Sequence, residues 1–414
     1  MSAWYLATLL VVGASPSNED ESRSWTVFAD KVYTAVGDPL DGGLIRVQDG
    51  KIAAIAPGSS AGDGKHSLSV TAVTPGLIDL SARIDGGSMS VEQSEEAIAN
   101  LRAFDALDRF AEDWTRQAKS GVTCVMASTY DDAVIGGLSV ALKTAGADSL
   151  AERVVRADVA LRAAMGQQPS SRNHPAFGRP NDFYSRRPTT RMGVEWALRD
   201  RFFEAAYSKN DESRAFPGSK ELLSVLAGER PIAIQAWSTQ DIRTAIFWKE
   251  EMEREGFGRP KLILDAAAEA WKEPQLLVRS GTAVVLPPYP AQGRTGEGAF
   301  MALDTAKILH ERGVTFALSA HNESTPSERL ALQPGYAMRG GLSFDAALKS
   351  VTIVPARMIG IEKRVGSIEV GKDADLVLWN GKPFEATSRV VGVLVDGRLI
   401  LDPRAKQQEQ GEAK

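Results

Sequence analysis

The sequence predicts an α/β protein, a (β/α)8 TIM-like barrel joined to a small composite β-sandwich built from both chain ends. Three observations carry that expectation. Short apolar runs alternate with amphipathic helical stretches through the middle of the chain. Turn-punctuated β segments occupy its two ends. The 414 residues, 43% of them apolar, exceed the roughly 250 that one barrel takes, which leaves room for a second unit.

In chain order, the first stretch is "MSAWYLATLLVVGASPSNEDES". The apolar run Ala3–Val12 is too short to span a bilayer as a helix. Val12-Gly13-Ala14 offers the small residues that a signal peptidase cuts, and a polar stretch follows, so residues 1–22 read as an export signal and linker. This places the protein in the periplasm or outside the cell. No Lys or Arg precedes Arg23, which keeps two other readings open: a start site set too far downstream, or an apolar segment with no targeting role in a cytoplasmic protein. No other window looks transmembrane.

Residues 23–73 alternate apolar runs with turn signals. Asp49-Gly50, between "LIRVQ" and "KIAAIAPG", is a hairpin signal. From Thr74 to residue 364 the rhythm is strand, helix, strand: "GVTCVMAS", "RPIAIQAW", "RPKLILDAA", "GTAVVLPP" and "VTFALSAHN" are separated by helical stretches. Repeated alternation implies parallel strands with crossover helices, here enough of them to close a barrel. Residues 365–402 return to β character and join the N-terminal strands; 403–414 is a polar, disordered tail. Gly166–Gly193 is too long for an ordinary connection and reads as a lid, an insertion or an interface element.

Net charge is −5, with no basic stripe, so nucleic acid is not an expected partner. The single cysteine, Cys124, lies in an apolar strand-like run. One cysteine excludes an internal disulfide and a four-cysteine metal site.

The segments "ADKVYTAVGDPLDGGLIRVQDGKIAAIAPG", "VTPGLIDLSARID", "VIGGLSVALKTAG", "RRPTTRMGVEWALRDRFFEAAY" and "SVTIVPARMIGIEKRVGSIEVGKDADLVLWNG", in this order and spacing, resemble the amidohydrolase superfamily, nearest to its imidazolonepropionase-like branch. The resemblance runs over nearly the whole chain. It implies hydrolysis of C–N bonds by one or two divalent ions, such as zinc, at the C-terminal mouth of the barrel, where a metal activates water.

That resemblance also implies ligands this sequence lacks. The HxH pair of the first barrel strand falls on Ser81 and Arg83. A hydroxyl is a poor zinc ligand and a guanidinium a permanent cation. The histidine of the fifth barrel strand falls on Gln235 or, two residues on, Trp237; that of the sixth falls on Asp265; the aspartate of the eighth falls on His321. The chain has four histidines, His66, His174, His310 and His321, and only His321 is placed at a barrel mouth. His66 falls in the N-terminal β region, His174 in the long loop, and His310 at a helix end.

Ser81, Arg83, Gln235, Trp237, Asp265 and His321 are therefore the candidate ligand-binding residues, with His321 and Asp265 the candidates for acid–base chemistry. No metal ligands and no cofactor are assigned. Arg83 is expected to fill the space of the lost ion by pairing with Asp265, or to take a ligand's carboxylate or phosphate; Asp85 is a further partner for it. Lys143 reads as structural or interfacial, and Arg186, Arg187 and Arg191 as a basic turn or a contact with the mouth or a neighbouring subunit. The favoured reading is a non-catalytic homologue that serves as partner subunit of an active relative or as a binder of a small polar ligand, in a homo- or hetero-oligomer. The alternative is an active hydrolase of non-peptide C–N bonds with an atypical site.

Overall fold

The computed structural model describes residues 23–62, 64–82, 92, 95–170, 187–289, 299–320 and 327–404. The expected export signal at 1–22, Arg83, Asp85, His174, Arg186, His321 and the last ten residues lie outside them.

Both chain ends meet in one seven-stranded sheet. Its strands are β1 (Trp25–Val32), β2 (Leu40–Gln48), β3 (Lys51–Pro57), β4 (Ser67–Pro75), β13 (Leu376–Trp379), β14 (Val390–Val395) and β15 (Arg398–Leu401), in the order β15-β14-β13-β4-β1-β2-β3. The join is the antiparallel pair β4–β13, with Val73 opposite Leu378. Alternating residues, among them Val27, Ile45, Val47, Leu68, Val73, Leu376 and Leu394, make this sheet's own core. Asp49-Gly50 turns β2 into β3, with φ of 51° and 79°. Positive φ at both central residues is what a tight hairpin requires.

The second sheet has eight strands in chain order: β5 (Leu77–Ala82), β6 (Val122–Ala127), β7 (Ile135–Lys143), β8 (Val154–Ala164), β9 (Ile232–Gln235), β10 (Leu262–Asp265), β11 (Ala283–Leu286) and β12 (Phe316–Leu318). They form a nearly closed barrel. Its outer helices include α1 (Glu112–Lys119), α2 (Arg191–Ser208), α3 (Ser219–Leu226), α4 (Thr239–Arg254), α5 (Pro274–Ser280) and α6 (Thr305–Glu311). Every strand pairing in this sheet is parallel except those of β7, which runs antiparallel to β6 and β8. The seven residues between β6 and β7 are too few for a crossover helix, so the chain can only reverse.

Strand alternation sorts the barrel side chains. Ile78, Cys124, Met126, Ala141, Ala160, Ala233, Ile263, Val285 and Ala317 pack together. Leu142, Leu161, Ile232, Ile234, Leu264 and Leu286 pack into the larger cluster with the helices. Cys124 is buried, and burial pushes its thiol up to about 12, as the core reading expects. The His66 ring lies tilted against Trp25, ring centroids 5.2 Å apart, and His310 lies in the last turn of α6.

Lys143 closes β7 at the end of the barrel that faces the other sheet. It is fully buried, with Nζ 2.5 Å from Asp375 Oδ2 and 3.1 Å from both Asp373 Oδ2 and Asp396 Oδ1. Burial opposes its charge, but Asp375, Asp396 and Asp373 together hold its pKa above the ordinary lysine value. Lys143 is structural. It ties barrel to sheet.

Candidate functional site

The strands deliver their last inward residues to the barrel mouth. Alternation carries Ala160 to Arg162 on β8, Ala233 to Gln235 on β9 and Ile263 to Asp265 on β10. In register, Arg162 lies beside Ala233, and Gln235 beside Asp265. The reversal between β6 and β7 adds Asp131 from its connecting segment.

These groups form one buried network. The Arg162 guanidinium grips Asp131 through two parallel bonds, Nε to Oδ1 at 2.7 Å and Nη2 to Oδ2 at 2.8 Å. Its remaining nitrogen, Nη1, lies 2.6 Å from Asp265 Oδ2 as an ion pair. Ser81 Oγ donates to that same oxygen at 2.9 Å, and the backbone N–H of Ala266 donates to Asp265 Oδ1 at 2.9 Å. Gln235 Nε2 donates to Asp131 Oδ2 at 2.8 Å and to Gln168 Oε1 at 3.2 Å. Arg162, Asp131, Asp265, Ser81 and Gln235 are each 1% exposed or less.

Asp79 braces the seam of the barrel. Its Oδ1 accepts from the backbone of Ser81 at 2.9 Å and its Oδ2 from the backbone of Ala320, beyond β12, at 3.1 Å. Just past β10, Ala266 takes a φ of +55°, a left-handed conformation that costs a non-glycine residue about 1–2 kcal/mol. Such strain gathers at functional sites.

Of the six candidates, the structure brings together Ser81, Gln235 and Asp265. At the fifth barrel strand position it is Gln235 whose side chain enters the network. Trp237 is buried two residues further on, where its carbonyl accepts from the backbone of Glu269 at 3.2 Å. Arg83 and His321 lie outside the described residues. The guanidinium seen on Asp265 belongs to Arg162, which sequence reading missed together with Asp131, Asp79 and Gln168. Arg191, still partly exposed, pairs with Asp241 at 2.7 Å, beside the N-cap Ser238 of the helix that follows β9; Arg187 is exposed.

Burial weighs against the Arg162 charge, yet Asp131 and Asp265 outweigh it and hold its pKa above the ordinary arginine value. The guanidinium is a permanent cation. It contacts Asp131 and Asp265 directly, and reaches Gln235 and Ser81 through one carboxylate each.

Comparison with known proteins agrees with this architecture. A sequence profile described as "Amidohydrolase family" matches residues 298–400. A crystal structure of an amidohydrolase from Thermotoga maritima superposes with a TM-score of 0.78 at 26% identity, covering 91% of this chain and 100% of that one. The chain belongs to the amidohydrolase superfamily. An imidazolonepropionase of Legionella pneumophila is 34% identical over 118 residues, 27% of each chain, which supports the imidazolonepropionase-like branch. The amidohydrolase tasK of Hapsidospora irregularis is 26% identical over 237 residues, 52% of this chain and 24% of that one. The matched regions span about a quarter of the length of these curated relatives.

For an amidohydrolase, the inherited ligand positions invite a test of whether a divalent ion fits. Ser81 offers a neutral hydroxyl, and its proton is already directed at Asp265. Gln235 offers at most a carboxamide oxygen. Both oxygens of Asp265 are engaged, one of them by a cation. Zinc takes three or four N, S or anionic O donors, and among the described residues no group of three or more His, Cys, Asp or Glu is arranged to hold a metal. The described donors do not fit the ion.

Proposed function

We propose that this amidohydrolase-family protein has given up the metal centre of its relatives and works without catalysis, as the partner subunit of an active homologue or as a binder of a small polar ligand. The observation that carries this reading is Arg162. Its guanidinium touches Asp265 at 2.6 Å, where the first and sixth strand positions converge through the Ser81–Asp265 bond. A divalent ion at that junction would meet a fixed positive charge at close range, and coulombic repulsion inside a protein is only weakly screened.

Metal stoichiometry tests the proposal directly. Protein purified without chelator and then challenged with zinc or manganese is expected to retain less than about a tenth of an ion per chain. A stable ratio near one ion per chain would overturn the reading.

A second reading is favoured by one observation, the presence of a strand-end carboxylate at Asp265, in place of the family's histidine, within an intact framework. It is an active hydrolase of non-peptide C–N bonds with an atypical site, in which Asp265 and His321 exchange protons with the substrate. It predicts turnover on an amide or cyclic-amide panel that His321→Ala abolishes while the fold survives. No turnover on such a panel would remove it.

A further inference from the structure

Helix α2 is apolar on two opposite sides. One side, Val194, Ala197, Leu198, Phe202 and Ala205, is buried in the barrel core. On the other, Met192, Trp196 and Tyr207 are 77%, 52% and 52% exposed, with Phe203 half-buried in line with them. At 100° per residue these four fall within about 60° of one another, a single stripe running the length of the helix.

The neighbouring helix extends the stripe into a patch. Arg191 pairs with Asp241, Arg199 with Glu251 at 2.7 Å, and Phe202 packs edge-on against Trp248 at 4.7 Å. These contacts set α2 and α4 side by side and parallel, with Trp196 level with Phe247, itself 45% exposed. Guanidinium groups lie over the rings: Arg199 over Phe203 and Arg243 over Phe247, both at 5.7 Å, and Arg214 over Tyr207 at 5.9 Å. Trp, Tyr, Phe, Met and Arg are the residues enriched at protein interfaces, and Trp, Tyr and Arg dominate their energies.

The spacing of the stripe identifies its occupant. Residues 192, 196, 203 and 207 are separated by 4, 7 and 4 positions, so the stripe reads the same from either end. A two-fold axis between residues 199 and 200 would lay one copy of α2 antiparallel on another, with Met192 facing Tyr207 and Trp196 facing Phe203 in both directions. Self-complementarity of this kind is what an isologous interface requires. A foreign partner imposes no such symmetry. The α2–α4 face measures roughly 27 by 20 Å, about 540 Å² in projection, the same order as the ~800 Å² per partner of a standard interface.

We infer that the outer face of α2 and α4 is the homodimer interface of this protein, two copies packing α2 against α2 in antiparallel fashion. The inference is independent of the chemistry at the barrel mouth, which neither helix's outer face touches.

Sedimentation and light scattering at micromolar concentration should give twice the monomer mass. Trp196→Asp should raise the dimer dissociation constant at least roughly thirtyfold, the effect of losing an interface anchor, with circular dichroism unchanged. Phe247→Glu gives the same readout if the first variant misfolds. Asp200→Cys places a thiol beside the axis, and a short bismaleimide should then link two chains; the native Cys124 is buried and out of reach. A monomeric wild type, a dimer that survives both substitutions, or a dimer that Asp200→Cys fails to cross-link would each overturn the inference.

Discussion

Arg162 is the residue on which the mouth turns. Its three donor nitrogens are spent on two buried carboxylates, so removing it strands negative charge at buried positions, where screening is weak. Breaking one partner of a buried ion pair costs about 3–5 kcal/mol, and Arg162→Ala should destabilise the protein by that order in chemical denaturation. Arg162→Lys keeps the charge but loses the planar fork that matches Asp131. It should recover only part of the loss, and full recovery would show that charge alone matters. Ser81, Gln235 and Asp265 were legible in the sequence because the resemblance to the amidohydrolases carries that family's ligand positions onto the ends of the runs "LIDLS", "IAIQ" and "LILD". Arg162 was not. Inside "DVALRAAMG" a lone arginine reads equally well as an edge-strand residue facing solvent. Only the fold shows that its partner Asp131 comes from a reversal 31 residues earlier.

At the scale of elements, the β6–β7 reversal gives the run "VIGGLSVALKTAG" its physical meaning. Gly137 has a φ of +107°, and a Cβ there would lie 2.4 Å from the backbone oxygen of Leu101, the oxygen that accepts from Leu138 N–H at 2.7 Å. Backbone cannot swing aside as a side chain can. Gly137→Ala should therefore cost at least about 2 kcal/mol, combining left-handed strain with the clash, and a thermal midpoint within about a degree of wild type would show that the strand relaxes. The alternation of strands and helices was readable from periodicity. The antiparallel strand was not, because a fully buried strand carries the same continuous apolar run whichever way it points.

For the whole molecule, the two sheets are held together by the buried Lys143 and three aspartates. Burial pushes Asp375 up to about 6 from an ordinary 3.8; Lys143 pulls the other way, and the charges of Asp396 and Asp373 add to the rise. A carboxyl whose folded pKa is raised contributes stability below its ordinary value of 3.8, which is lost as pH climbs through about 6. Asp373 is the opposite case. Burial raises it, but Lys143, Lys51 and Arg364 hold it below the ordinary 3.8, so its contribution is present above that value and lost as pH falls further. Asp375→Asn should accordingly flatten the stability profile between about pH 4 and 6 while leaving the acid limb in place. An unchanged slope across that window would assign the titration elsewhere.

The same sheet that Lys143 fastens has a consequence for how the chain is made. The indole N–H of Trp379 donates to Thr74 across 305 residues, and β4 pairs with β13 between them. A ribosome releases Thr74 long before Trp379 exists. Closing a loop of that length is entropically slow, so the barrel has time to assemble on its own strands while β1 to β4 wait. Until the C-terminal strands arrive, the edge of β4 that β13 will cover stays open to any other extended chain. In a growing polypeptide, that edge is the surface a chaperone has most reason to guard.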